Sequence, residues 1–363
     1  RSSRWSTLCL PTEGSALAFE APDLQARPHR PKSLMRRHLL AIAVILTVAT
    51  GCDNVAWGGV DVQLQAPPAS ESAAPDSAET AEEGVPPREL GPVLLAGVRD
   101  GSQATLSVVG EIHGDSISAF PHPDFLAEDS TRLAELMPVG SEWILFAEGV
   151  RVGRLTANEV GTVQETCTPR ASVTGTVELV PDASGAERFL ALSAADASGR
   201  EYGEYEAHQR DYDQGVASLN IVADVIPRVG AQWPEPGTLA SREDIQAFQL
   251  PEMSGQTVVA TFVVQDELAI APPRQGAYAV FLMGMPSGGE YEEAYSWYRA
   301  VDIDGKGAPR YFDHLDWDGD GDSEILLDVF GSNRRWYAGL AQRQGEWVRT
   351  FQDACGSGSS SGE

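Results

Sequence analysis

Residues 315–331 read LDWDGDGDSEILLDVFG, and the way the first half passes into the second decides the fold. Asp316, Asp318, Asp320 and Asp322 alternate with Trp317, Gly319 and Gly321, and Glu324 closes the acidic run. Three aspartates at positions 1, 3 and 5 with a glycine at position 6 make a chain that can curl around a hard cation. Ca²⁺ takes about six to eight oxygen ligands, and consecutive residues can supply them only from a tight loop. The carbonyl of Asp322 is the next ligand in order. A helix–loop–helix calcium site would need a glutamate at position 12 and a helix after it. Position 12 is Leu327, and EILLDVF is a β-branched and apolar run of strand length. The loop therefore leads into a strand rather than a helix. Its competing readings are a solvated acidic turn without metal and a catalytic metal centre; an all-oxygen donor set with no histidine pair argues against the latter, and His314 reads as a packing residue.

The flanking sequence repeats the strand pattern. QTVVATFVVQ, GAYAVFLMGM, EAYSWYRAVDI, RRWYAGLAQR and EWVRTFQ are apolar or aromatic runs separated by Gly, Pro and Asp, with Gln344-Gly345 as a turn between the last two. Upstream, PVLLAGVRD and QATLSVVGEI flank Asp100-Gly101, and EWILFA and VRVGRLTANEVG flank Glu148-Gly149. ASVTGTVELV and ERFLALSA follow. Short helices are expected at DSTRLAELM (129–137) and REDIQAFQL (242–250), and residues 200–240 show little periodicity. The fold class is mostly β, with antiparallel sheets forming a sandwich-like or partial blade-like module and a few short helices. The division falls into 90–240 and 241–355, the second half carrying the calcium loop, and 356–363 is a low-complexity tail.

The acidic loop resembles the calcium motif of FG-GAP and VCBS-type repeats, D-x-D-G-D-G-x-x-[DE]-[IL]. Asp316, Asp318, Gly319, Asp320, Gly321, Glu324 and Ile325 occupy its fixed positions. The resemblance implies a structural Ca²⁺ held by Asp316, Asp318, Asp320, Asp322 and Glu324. A weaker copy, DIDGKG, places Asp302 and Asp304 14 residues upstream of Asp316 and Asp318. That spacing is too short for successive blades, so a complete β-propeller is not expected.

The N-terminal part reads as an address. Residues 1–34 lack apolar periodicity and are set apart as an upstream extension, translated or not. At 35–51, MRRHLLAIAVILTVATG carries a basic start and a short apolar run, the pattern of a signal peptide. VATGC resembles the lipobox of bacterial lipoproteins, although Ala49 stands where that family prefers leucine. The resemblance implies cleavage before Cys52, lipid on its thiol and a cell-envelope, extracytoplasmic location; a plain cleaved signal is the alternative. Residues 52–89, rich in Pro, Ala, Ser and Glu, form an acidic linker whose composition cannot bury enough apolar surface to fold. The remaining cysteines, Cys167 and Cys355, are an even pair suited to a disulfide in an oxidising compartment, or else two buried thiols.

Charge excludes one class of partner. The chain has 26 basic and 53 acidic residues, and seven of the basic and three of the acidic ones precede Cys52, leaving 19 against 50 beyond it. Such a field repels phosphate backbones, so no nucleic-acid partner is expected. Outside the low-complexity tail no G-x-S-x-G motif occurs, and no H-E-x-x-H, P-loop or C-x-x-C motif is present; His113 near Glu111 and Asp115 reads as a turn residue. Two functions remain open. One is a lipid-anchored envelope protein with a calcium-stabilised β domain serving as a binding or structural module, its protein or carbohydrate partner undefined. The other is an anchored extracytoplasmic hydrolase acting on polysaccharide or peptide.

Overall fold

The computed structural model describes residues 91–119, 136–235 and 237–356. The stretches expected to be a signal peptide and an acidic linker, Cys52, the expected tail beyond Gly356, and most of the helix expected at 129–137 lie outside the described residues.

Fifteen strands form three antiparallel sheets. The first closes on itself. Strands β1 (Val93–Asp100), β2 (Gln103–His113), β4 (Glu142–Ala147), β5 (Val150–Val163), β6 (Arg170–Leu179) and β7 (Arg188–Ser193) run in the order β1-β7-β4-β5-β6-β2, and β2 pairs back onto β1. The result is a six-stranded barrel. Strand β2 pairs with β6 over Gln103–Ser107 and then with the short β3 (Ser116–Ala119) over Gly110–His113.

Each of the other sheets is an up-and-down meander. One contains β8 (Arg242–Phe248), β9 (Thr257–Val264), β10 (Tyr278–Ser287) and β11 (Glu290–Ala300). The other contains β12 (Ala308–Leu315), β13 (Glu324–Phe330), β14 (Arg335–Arg343) and β15 (Glu346–Gln352). The mostly-β, antiparallel expectation holds, and the architecture is not a propeller.

Four layers stack on one another, and the side-chain alternation of each strand records it. In β1, Leu95 points into the barrel with Leu106, Trp143, Leu155 and Phe189. Its neighbours Leu94 and Ala96 point outward, joining Ile144, Phe146 and Leu190 against Phe312, Leu326, Tyr337 and Phe351 of the β12–β15 sheet. The opposite face of that sheet, with Ile325, Leu327, Trp336 and Leu340, packs on Phe248, Val259, Phe281 and Met283 of the β8–β11 sheet. The far face of β8–β11 is covered by helix α1 (Tyr212–Arg228) through Ile221, Val222, Val225 and Ile226. Strand β9 is covered on both faces, which is why it reads as a largely apolar TVVATFVV and is buried throughout.

Two helical expectations need correction. Residues 242–248 form strand β8 rather than a helix: pairing with β9 and burial of Ala247 and Phe248 outweigh the helix-favouring Glu, Gln and Ala of REDIQAF. Conversely, the region read as aperiodic contains α1. Asp211 caps it, its Oδ1 accepting from Gln214 N (2.7 Å) while Gln214 Oε1 accepts from Asp211 N (2.8 Å). Two one-turn helices, α2 (Thr238–Ser241) and α3 (Val301–Asp304), complete the described residues. None of the helices there is long and apolar enough to cross a membrane.

The seam between barrel and β12–β15 sheet is fastened at one buried point. Arg170 and Asp353 are both 1% exposed. Arg170 donates to the carbonyls of Val108 (2.7 Å) and Val109 and to Asp353 Oδ1, while Asp353 Oδ2 accepts from Tyr337 N (2.9 Å). Burial pushes the Asp353 carboxyl up, and the Arg170 charge opposes that push. Next to this pair, Cys167 and Cys355 form a disulfide across 188 residues, with Cα atoms 5.7 Å apart. Removing one buried partner should be costly. R170M is expected to lower the unfolding free energy by about 3–5 kcal/mol, and R170M/D353L to recover part of that loss, measured by urea denaturation.

Candidate metal centre

The acidic loop, residues 316–323, connects β12 to β13, whose ends pair Leu315 with Glu324. Trp317 roots it: the ring is 2% exposed, packs in the barrel–sheet seam, and donates Nε1–H to the carbonyl of Gly114 (3.3 Å). Arg200 donates to the carbonyls of Asp316 and of Trp317 (3.1 Å), and Glu252 accepts from Ser323 N (3.2 Å) and Oγ (3.1 Å).

Within the loop the carboxylates first organise the backbone. Asp316 accepts from Gly319 N (2.6 Å) and Gly321 N (3.1 Å), Asp318 from Asp320 N (3.1 Å), and Asp320 from Asp322 N (2.9 Å). Gly319 and Gly321 have φ of 85° and 102°, so these turns are open to glycine and strained for other residues.

The loop gathers three of the five expected ligands. Oxygens of Asp316, Asp318 and Glu324 lie within 4.8 Å of one another. Asp320 and Asp322 are exposed and fall outside that group. Glu324 is 2% exposed and accepts from Trp317 N (3.0 Å). Burial, which the Trp317 N–H only partly offsets, raises its carboxyl to about 9, with the charges of Asp318, Asp316 and Asp320 adding to the rise. The Asp318 carboxyl is also pushed up by burial and by the neighbouring acids. A divalent cation relieves both effects, since it favours the charged carboxylates that burial and repulsion oppose.

The weaker copy does not extend the cluster. Asp302 accepts from Gly276 N (3.1 Å) and Asp304 from Ala300 N (3.1 Å), so both stabilise the turn around α3, while Lys306 pairs with Asp266 (2.9 Å). His113 Nε2 lies 3.4 Å from Glu111 Oε2, and Asp115 is paired with Arg343.

A second group of metal-competent side chains, not apparent from the sequence, sits under the loop. Glu148, in the β4–β5 turn, meets Asp313 and His314 of β12, one ligand atom of each within 4.8 Å of the others. Glu148-Gly149 is legible as a turn, but nothing local indicates which strand it faces.

A cleft of about 760 Å³ lies between α1 and the β10–β11 hairpin and is lined by acids including Asp211, Asp224, Glu290 and Glu293. Burial raises the Glu293 carboxyl, but hydrogen bonds from Arg228 and Ser296 outweigh it and hold the group below its usual range. That is the opposite of the raised carboxyl a general acid needs. Compared with known proteins, the chain matches no family model, and no curated protein or solved structure is significantly similar to it.

Glu324 gives a test with an unusual sign. In metal-free protein at pH 7, E324Q should stabilise the fold by about 1–3 kcal/mol, because it removes the cost of protonating a buried carboxyl. The same substitution should abolish any stabilisation by Ca²⁺; paired thermal melts with and without Ca²⁺ check both.

Proposed function

We propose that this is a lipid-anchored protein of the cell envelope whose β domain is stabilised by Ca²⁺ and acts as a binding or structural module. The observation that carries the reading is the convergence of Asp316, Asp318 and Glu324 in a loop rooted by Trp317 between two buried strands. An ion there ties the β12–β13 turn to a side chain in the barrel–sheet seam and stiffens the middle of the molecule. The loop's resemblance to FG-GAP and VCBS-type calcium motifs, and that of VATGC to a lipobox, support the same assignment. The linker at 52–89 then spaces the domain from the membrane, with Cys52 as the lipidation site.

Two experiments test the halves separately. Thermal melting with Ca²⁺ and with EGTA should show stabilisation of about 2.7 kcal/mol at a hundredfold excess over Kd, or roughly 5–10 °C for a domain of this size. No shift sinks the calcium assignment. Affinity should also rise with pH, because Ca²⁺ displaces a proton from Glu324, whose carboxyl titrates near 9 without metal. Calorimetry in buffers of different ionisation enthalpy should record about one proton released near pH 7. Mass spectrometry of the protein from its native membrane should find an acylated N-terminal Cys52; an unmodified or differently cleaved terminus sinks the anchor.

A further inference from the structure

We propose that Glu148, Asp313 and His314 form a second metal site, distinct from the acidic loop and selective for a transition ion of the Zn²⁺ type. Three features of the geometry lead there. The first is convergence from different layers. Glu148 stands on the barrel's β4–β5 turn in a left-handed conformation, φ 51°. Asp313 follows a register shift in β12 between Tyr311 and Asp313, and such a bulge re-aims the side chain.

The second feature is burial without a paired cation. Asp313 is 3% exposed and His314 0%. Asp313 Oδ1 accepts from Glu148 N (3.0 Å) and His314 N (2.8 Å). The nearest cation, Arg188, donates instead to the Tyr311 carbonyl (2.9 Å) and to Gln246 Oε1 (2.6 Å). Among the described residues, no Lys or Arg side chain hydrogen-bonds either carboxylate.

The third is a set of unsatisfied atoms. Glu148 Oε2 and His314 Nε2 are buried without a hydrogen bond of normal geometry. Buried polar atoms left in this state are rare and costly. The imidazole is held from its other side: Nδ1 lies 2.7 Å from Tyr311 Oη, which is itself 3.5 Å from Asp313 Oδ1. Phe248 stacks on both rings, with centroids 4.4 Å from Tyr311 and 4.9 Å from His314. Nε2 faces the turn that carries Glu148, so closely that a Cβ on Gly149 would come within 2.7 Å of it. The ring also interacts with the backbone of Gln249, but Nε2 makes no hydrogen bond of normal geometry, and an imidazole oriented through Nδ1 in this way presents Nε2 as a metal ligand.

The donor set selects the ion. One imidazole and two carboxylates suit Zn²⁺, whereas Ca²⁺ prefers six or more oxygens. Two carboxylates neutralise the ion's charge, which the interior requires. Zn–N and Zn–O bonds of about 2.0–2.2 Å place ligand atoms roughly 3.4 Å apart, so atoms that lie within 4.8 Å of one another can close on an ion with small side-chain movements. Burial also pushes the Glu148 carboxyl up to about 7 and raises that of Asp313, and an ion bound between them would favour the charged forms that burial opposes. A cavity of about 230 Å³ is lined by Gly149 and Leu315, the chain neighbours of Glu148 and His314, together with Asp316 and Ser323.

The test uses the full chain, stripped with EDTA and then kept in millimolar Ca²⁺ so that the acidic loop is not the reporter. Titration with Co²⁺ should develop visible d–d absorption of a low-coordinate N/O site, displaced by one equivalent of Zn²⁺. E148Q and D313N should each weaken Zn²⁺ binding at least tenfold, while D318N leaves it unchanged. A folded wild-type chain that shows no Co²⁺ band overturns the proposal, as does a Zn²⁺ stoichiometry and affinity unaltered in E148Q. Should D313N fail to fold, E148Q, on a partly exposed turn, and the wild-type Co²⁺ spectrum still decide. Loss of Ca²⁺ binding in D318N reports on the loop alone, so the two assignments can fail independently.

Discussion

The Arg170–Asp353 pair fixes how the barrel and the sheet of β12–β15 can meet. A guanidinium taken out of water needs acceptors, and the two terminal nitrogens of Arg170 find them on two elements: the Val108 and Val109 carbonyls of β2 and the carboxylate just beyond β15, while Nε is left without one. Asp353 in turn binds the backbone of Tyr337 through both its carboxylate and its amide, with Asp353 N donating to the Tyr337 carbonyl at 3.1 Å. Apolar surfaces such as Leu94, Phe146, Phe312 and Phe351 can slide over one another at small cost, but a desolvated ion pair cannot. One register of sheet against barrel therefore satisfies the charges. Trp317 and the acidic loop, and Glu148 against Asp313, are positioned as consequences of that register.

The surrounding contacts follow the same pattern of polar fixing points in an apolar seam. Asp115, in the β2–β3 turn, accepts from Arg343 at 2.6 and 2.8 Å, and its carbonyl accepts from Thr350 (2.7 Å), while Ser116 Oγ donates to the Thr350 carbonyl (2.8 Å). Across β12 and β13, Arg310 faces Asp328 in register and donates to both of its carboxylate oxygens, at 3.1 and 2.6 Å. Several buried charges are paired locally, as in Arg170–Asp353, Lys306–Asp266 and Arg310–Asp328. Glu324, and Glu148 with Asp313, are instead buried carboxyls to which no cation hydrogen-bonds among the described residues.

Much of this architecture was legible in the sequence because the relevant signals are local. Asp100-Gly101, Glu148-Gly149 and Gln344-Gly345 each join the two strands expected of them, with the glycine at positive φ. The acidic loop could be read because its ligand candidates lie within nine residues. Helix α1 carried its own signature in Asp211-x-x-Gln214 and the spacing of Ala217, Ile221 and Val225, masked by the charged, aromatic stretch before it. Strand β12, APRYFDHL, lacked the expected pattern because Arg310, Asp313 and His314 serve as buried or half-buried polar contacts rather than as a solvent face. Closure of the barrel by β1 on β2, and the meeting of Glu148 with β12, depend on pairings between distant segments that no periodicity encodes.

The position of the disulfide constrains when it can form. Cys355 follows the last strand, and its partner Cys167 lies between the fifth and sixth. Because the chain is made from its N-terminus, Cys167 emerges 188 residues ahead of its partner. The native cross-link therefore cannot guide the early strands; it can only record that β15 has reached its place, making oxidation a checkpoint on completed assembly and leaving any truncated chain with an unpaired, reactive thiol.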